Sequence, residues 1–334
     1  MSDSSLDVLA VGNAIVDVIS RSEDQFLTQR GLDKGIMRLI DAAEGEALYA
    51  DMGPGMEVSG GSAANTAVGV GLFGGRAGYI GKVSEDELGK TFRHDISRAG
   101  VRFETAPAAS ETPTARCLIL VTEDAERTMN TYLGACVELS PDDIDAEMVA
   151  AAQVTYLEGY LWDPEEAKKA FRKAFAITKE SGRRASLSLS DPFCVDRHRA
   201  EFRELAEHYV DVLFANEDEI MSLYEVSDFD QALQHVRGHC EIAVLTRSEK
   251  GSVVVRGDEI HVVDAAPVER IVDATGAGDM YAAGFLYGLT QGFDLGRCGR
   301  LGALAAGEII SHFGAKPEID IKVFIDQSAH ALKA

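Results

Sequence analysis

One short segment late in the chain, Asp273-Ala274-Thr275-Gly276-Ala277-Gly278-Asp279, carries the clearest chemistry. Gly276, Ala277 and Gly278 have almost no side chain, so their N–H groups can close on an anion. The apolar stretch 280–289 follows at once and predicts a helix, whose N-terminus adds partial positive charge. A phosphoryl group in transfer is such an anion. Asp279 falls on the first turn, where its carboxylate can take the proton from a hydroxyl aimed at the same phosphorus. A glycine-rich turn with a capping aspartate is the plainer alternative. Two acids bracketing a T-G-A-G core favour the chemical one.

Other short matches fail on context. Gly69-Val70-Gly71-Leu72-Phe73-Gly74 fits G-x-G-x-x-G, but a dinucleotide site needs a strand before it and a helix opening within it. Here it ends a small-residue apolar stretch at 62–73, which points to close helix packing and removes a dinucleotide-dependent dehydrogenase. Gly89-Lys90-Thr91 resembles the end of a phosphate loop. However, Ser84 stands where the first glycine belongs, and Glu85, Asp86 and Glu87 would repel phosphate. His235 and His239 are four apart on a predicted helix beside Cys240. Two ligands make a weak zinc signal, and the pair reads as solvent-facing.

The chain has 334 residues, with 32 Lys+Arg against 55 Asp+Glu and a net charge of −23. That acidity repels phosphate backbones and anionic lipid, which argues against nucleic-acid and membrane partners. A hydrophobic fraction of 46% and a charged fraction of 26% suit a globular chain with ample core. No apolar run reaches the ~18 residues of a membrane span, and no secretory signal is expected. Cys117, Cys136, Cys194, Cys240 and Cys298 are odd in number and dispersed. They predict reduced thiols in a cytoplasm.

The elements that must hold the glycine cradle alternate along the sequence. The apolar run 6–11 predicts a buried strand. Further strands are expected at 76–83, 154–157, 185–189, 210–215 and 242–246. Helices are expected at 62–73, 85–98, after Ser140, from 163 to Gly182, and at 199–209 and 230–238. A hairpin turns at Gly257-Asp258, and helices at 276–290, 295–312 and 321–332 close the chain. This alternation predicts an α/β fold: a doubly wound, mostly parallel sheet flanked by helices. The segments 102–105, 114–121 and 127–133 read as short strands with a hairpin tip at 123–126. With part of 13–50 they would form a small β excursion.

In this order the segments resemble the ribokinase-like (PfkB) family of carbohydrate and nucleoside kinases, over roughly residues 6–318. The resemblance implies one domain over 1–334, with a β lid formed by about 13–50 and 102–135. Gly60-Gly61-Ser62-Ala63-Ala64-Asn65 resembles the family's N-terminal signature, in which the diglycine is the lid hinge and Asn65 binds a sugar hydroxyl. Adjacent glycines before a helix also permit unusual dihedrals and close ligand approach. Asn13 and Asp17, at the end of the first strand, resemble the pair that holds a ribose diol.

Asn216-Glu217-Asp218-Glu219 is similar to the family's N-x-x-E motif, which implies Glu219 organising Mg²⁺ through water and Asn216 facing the phosphates of ATP. Thr246 to Gly251 stands in place of a nucleotide loop, with Ser248 replacing the usual glycine. Ala305 to His312, including Ile309, resembles the helix and turn beside adenine. A K⁺ near Asp273 and Thr275 is implied by the family alone.

Within the family the adenosine kinase branch fits best. Arg127 then resembles the lid arginine that reaches the transferred phosphate; a surface charge at a hairpin tip is the other reading. Leu133 and Tyr160, with Tyr132, Leu161 and Trp162, form either a purine slot or core. The expectation is ATP-dependent phosphorylation of the 5′-hydroxyl of adenosine, giving AMP and ADP, by a cytoplasmic monomer or homodimer. A sugar kinase of the same family and a non-catalytic nucleoside-binding regulator are the alternatives.

Overall fold

The N-terminal apolar run is a strand buried at every position, β1 (Leu6–Val11). Burial on both faces is what a central strand of a parallel sheet requires. A computed structural model describes residues 6–124, 126–318, 320 and 323. The helix expected at 321–332 lies outside the described residues, except for residue 323.

After β1 come β2 (Ile15–Arg21), α1 (Asp24–Arg30), β3 (Met37–Leu39), α2 (Ala42–Asp51), β4 (Met56–Gly60) and α3 (Ser62–Leu72). Then follow β5 (Ala77–Ile80), α4 (Glu87–Arg98), β6 (Arg102–Phe103), β7 (Ala115–Val121) and β8 (Arg127–Tyr132). The regular half contains α5 (Ala146–Ala151), β9 (Ala152–Glu158), α6 (Glu165–Glu180), β10 (Arg184–Ser188), α7 (Pro192–His208) and β11 (Val212–Asn216). It continues through α8 (Glu217–Tyr224), α9 (Phe229–Val236), β12 (Ile242–Thr246), β13 (Ser252–Arg256) and β14 (Glu259–Val263), to α10 (Ala277–Thr290) and α11 (Leu295–Ile309).

A 9-stranded sheet runs β14-β13-β12-β11-β10-β9-β1-β5-β6. Its pairs are parallel except β12–β13 and β13–β14. Helices pack on both faces over two apolar clusters, so the expected doubly wound α/β architecture is present. The chain passes from β1 to β5 on one side, and β9 flanks β1 on the other. That reversal opens a crevice at the carboxyl ends of β1 and β9, where ligands bind in such sheets.

A second, 5-stranded sheet runs β3-β8-β7-β2-β4. One face buries Ile15, Ile19, Cys117 and Ile119. On the other, Leu27 and Leu48 of α1 and α2 pack on Val18, Leu118 and Leu120. Asp41 caps α2 by a capping box with Glu44, a local device that fixes where that cover begins.

Two details differ from the pattern of the sequence, and a third settles an alternative it left open. Arg102–Phe103 pairs with β5 at the edge of the large sheet, not in the small one. α7 starts at Pro192, capped by Asp191, and bends at His198 (φ −123, ψ 22). Leu161 and Trp162 are core: Trp162 is fully buried against Phe171 and Phe202, with ring centroids at 5.8 and 5.9 Å.

Candidate active site

The cradle forms where Gly276 caps α10 in the left-handed region, φ +77. A Cβ there would come within 2.7 Å of the Ala315 Cβ, so glycine is required twice over. Gly278 is exposed, and a Cβ on it would meet nothing within 4 Å. Asp273 is fully buried and shapes the loop from beneath. Its Oδ1 accepts from Thr275 N at 2.9 Å and Thr275 Oγ1 at 2.5 Å, and its Oδ2 accepts from Gly314 N at 2.9 Å.

Asp279 sits half-buried on the first turn of α10. Ser62 Oγ donates to its Oδ1 at 2.7 Å, and Asn65 Nδ2 to its Oδ2 at 3.0 Å. Thr66 Oγ1 lies 3.2 Å from the Asp279 carbonyl. This contact exists because α3 presents small residues to α10: a Cβ on Gly69 would lie 2.5 Å from the Ala283 Cβ. Close packing therefore explains Gly69 and Gly71, the latter against the Ala99 carbonyl, and Gly74 (φ +90) serves the turn after α3. Burial pushes the Asp279 carboxyl up, while the Ser62 and Asn65 hydrogen bonds and the Arg127 charge pull it back.

Opposite lies a second carboxylate, Asp17 of β2. A Cβ on Gly60 would strike that carboxylate, and one on Gly61 (φ +92) would strike the Asn13 carbonyl. The diglycine is thus what lets β2 and β4 close on each other. Asp17 is pushed up to about 7, first by burial and then by the charge of Asp279, against Lys316 and Arg127. Asn13 is buried, and its Oδ1 has no partner among the described residues. A buried acceptor left open beside a buried carboxyl suits a ligand rich in hydroxyls.

Glu158, at the end of β9, was not singled out by sequence. Its Oε1 accepts from Asn13 N at 2.7 Å and its Oε2 from Ala63 N at 2.6 Å. It braces the exit of β1 to the start of α3, and burial pushes it up to about 7. The available signal was an acid ending an apolar strand. Ser62 was visible only as part of the diglycine motif.

On the other side of the crevice, Asn216 and Glu219 close a capping box at the start of α8. Glu219 Oε1 accepts from Asn216 Nδ2 at 2.7 Å and Oε2 from Asn216 N at 3.0 Å. Burial and the nearby Asp191 push Glu219 up to about 8. Thr246 ends β12, and Ser248 adopts φ +51, the left-handed region that its replaced glycine would enter freely. A Cβ on Gly251 (φ +79) would strike the Val263 carbonyl. Arg247 stacks on Phe229 at 3.9 Å and pairs with Glu217 at 3.0 Å, fixing this loop to α8 and α9.

Not every expected residue reaches the crevice. Ala305 and Ile309 lie on α11 with their side chains buried in the core. His312 is held by Glu308, with Nε2 at 3.1 Å from Oε1. Leu133 packs under the small sheet. Tyr160 is half-buried within the field of Asp191, Glu219, Arg127 and Asp279. Arg127, half-buried at the start of β8, acts on both Asp17 and Asp279. His235 and His239 flank Tyr224, by a stacked ring at 5.3 Å and by Nδ1 at 2.9 Å from the hydroxyl. No group of three or more His, Cys, Asp or Glu side chains forms a metal site among the described residues.

Residues 36–322 match the family described as pfkB family carbohydrate kinase. The chain is 53% identical to an adenosine kinase from Sinorhizobium meliloti of known crystal structure, with a TM-score of 0.95 over 97% of this chain and 100% of that one. It is 51% identical to a probable sugar kinase from Rhizobium etli CFN 42, with a TM-score of 0.95 over 97% and 99%. The adenosine kinase of Saccharomyces cerevisiae is 27% identical over 312 residues, 86% of this chain and 90% of that protein. No helix among the described residues is long and apolar enough to cross a membrane.

Proposed function

The chain belongs to the pfkB family of carbohydrate kinases and is an ATP-dependent phosphotransferase; from that premise we propose that its acceptor is the 5′-hydroxyl of adenosine. The observation that carries the reading is the placement of Asp279, gripped through both carboxylate oxygens beside the Gly276–Gly278 N–H groups. Asn13 and Asp17 supply acceptors for the two ribose hydroxyls, with Gly61 and Asn65 closing around the sugar. Tyr160 would border the base.

The reaction follows from these groups. Asp279 accepts the proton of the 5′-hydroxyl as that oxygen bonds to the γ-phosphorus. The bond from that phosphorus to the bridging oxygen breaks, and ADP leaves. The N–H groups of the cradle face the equatorial oxygens and stabilise the charge gathered there. Arg127 adds to that neutralisation from the small sheet, and closure of that sheet on its diglycine hinge excludes water. Products are AMP and ADP.

ATP would lie along Asn216, Thr246, Ser248 and Gly251. The hard oxygen donors of Glu219 and the neighbouring Asp191 fit a divalent ion held through water, and Mg²⁺ would supply charge neutralisation on the phosphates. Asp273 and Thr275 lie on the loop where a K⁺ would act through loop shape. The five free cysteines are consistent with the cytoplasmic setting proposed from composition.

A second reading keeps the chemistry and changes the acceptor. Similarity to the Rhizobium etli probable sugar kinase favours a free sugar in the same pocket. ATP consumption with Mg²⁺ and K⁺ against adenosine, inosine, guanosine, cytidine, ribose, fructose and fructose 6-phosphate separates the two. Strong preference for adenosine supports the nucleoside reading, and preference for a free sugar overturns it.

A further inference from the structure

The turn after α11 touches both halves of the site. Phe313 packs into the apolar cluster of the small sheet, with the Arg21 guanidinium 5.7 Å from its ring. Gly314 donates to Asp273 beneath the cradle at 2.9 Å, and Ala315 sits against Gly276. Lys316 then reaches β4. Its ammonium donates to Ser59 Oγ and pairs with Asp95 Oδ2 of α4 at 3.5 Å. That same Asp95 oxygen accepts from Ser59 N at 3.0 Å. Ser59 immediately precedes the diglycine.

We propose that Lys316 is a positioning residue, which fastens the hinge strand β4 to the segment under the cradle and supplies the cation that holds Asp17 ready for a vicinal diol. The second half of this proposal rests on the nucleoside reading of Asp17. Ser59 stands opposite Val16 in the β2–β4 pairing, which brings the Lys316 ammonium beside the strand that carries Asp17. Asp279 of α10 and Asp273 of the cradle loop disfavour its ionised form; Lys316 and Arg127 favour it. Cys117 of β7 also faces Asp17 and is itself pushed up to about 12, chiefly by burial, so it offers no counter-charge. Arg127 rides on the small sheet, whereas Lys316 is three residues from Phe313 and two from the peptide bonded to Asp273. Of the two cations, Lys316 is the one fixed to the cradle.

Burial pulls the Lys316 ammonium below the usual lysine range, while Asp95 and Asp17 hold it up. The half-buried ammonium bonds Ser59 and Asp95 and lies one residue along the pairing from Asp17. A neutral group of similar length would fill the space and remove the charge.

Lys316→Met and Lys316→Arg separate the two effects. Calorimetric binding of adenosine to the full chain, without ATP, is followed from about pH 5.5 to 8.5. Affinity for wild type is expected to fall as pH drops through about 7, because a protonated Asp17 accepts poorly. Lys316→Met should move that limb upward by about 0.5–1 unit and weaken adenosine by about 3–10-fold at neutral pH. Lys316→Arg should keep the wild-type limb, and Asp17→Asn should abolish it.

An unmoved limb in folded Lys316→Met overturns the proposal, as does equal behaviour of Met and Arg. If Lys316→Met does not fold, Ser59→Ala takes its place: it removes the bond to the hinge and leaves the charge. It should leave the limb unmoved and lower kcat about 3–10-fold. A moved limb or unchanged kcat in that variant refutes the fastening role. If adenosine fails to bind wild type, the nucleoside reading falls. The same titration is then made with the acceptor that the panel selects.

Discussion

Ser62 and Asp279 are 217 residues apart in the chain and 2.7 Å apart in space. Ser62 begins the helix that follows the diglycine, and Asp279 lies on the first turn of the helix that opens within the cradle. The proposed base is therefore held by the helix that follows the diglycine joining the small sheet to the large one. The start of that helix and the carboxylate of Asp279 are joined by one hydrogen bond from Ser62 and its neighbour from Asn65.

Asp279→Asn keeps the size of the side chain and removes its capacity to take a proton. If Asp279 is the base, kcat should fall by about 10²–10⁴ while adenosine binding changes little. Steady-state kinetics beside calorimetry on the same variant test both halves. Turnover near the wild-type value would return Asp279 to a capping role.

Ser62→Ala tests the grip rather than the base. The Ser62 hydrogen bond pulls the Asp279 carboxyl down against burial, so its loss should leave the carboxyl higher. A base must be ionised, so the acid limb of kcat should move to higher pH. A uniform loss at every pH, with no shift of the limb, would show that Ser62 only positions α3.

Much of this site was legible because its chemistry is local. Gly276 to Asp279 form one turn, and small residues in a turn announce close approach to something. The diglycine and the Asn216–Glu219 box are equally short. What could not be read is what distant packing decides. Glu158 is an acid at a strand end, and only the pairing of β1 with β9 puts it under Asn13 and Ala63. Lys316 looks like any surface lysine until the turn after α11 is laid across β4. Arg102–Phe103 is a two-residue strand, too short to carry a period, so nothing in the sequence assigns it to the large sheet. Ala305 and Ile309 show what a motif leaves out: it names them by position, and only the packing of α11 shows that their side chains are buried.

Gly61→Ala should distort the turn proposed as the hinge. Its φ of +92 is disfavoured for alanine, and the new Cβ would strike the Asn13 carbonyl. Strain of this kind costs about 1–3 kcal/mol before any clash is counted. The expected outcome is a lower Tm together with weakened acceptor binding. Gly31→Ala is the control: φ is +64 but no atom lies within 4 Å of the added Cβ. It should lower Tm slightly and leave kinetics unchanged. Equal kinetic loss in both variants would remove any special role from Gly61.

The buried carboxyls also set how stability depends on pH. Asp17 and Glu158 are pushed up to about 7 and Glu219 to about 8, each chiefly by burial. Their ordinary values are 3.8 and 4.5. Between those values and the raised ones, the folded chain holds protons that the unfolded chain has released. Stability must then fall as pH rises. These three groups contribute nothing adverse below their ordinary range and their full cost above about pH 8. The ligand-free protein should therefore melt at a higher temperature at pH 5.5 than at pH 8.5, by about a few °C. Asp17→Asn and Glu158→Gln should each flatten that slope. A Tm that rises with pH across this window would mean that the three carboxyls are ionised in the folded protein. It would place cations or water around them that burial alone does not supply.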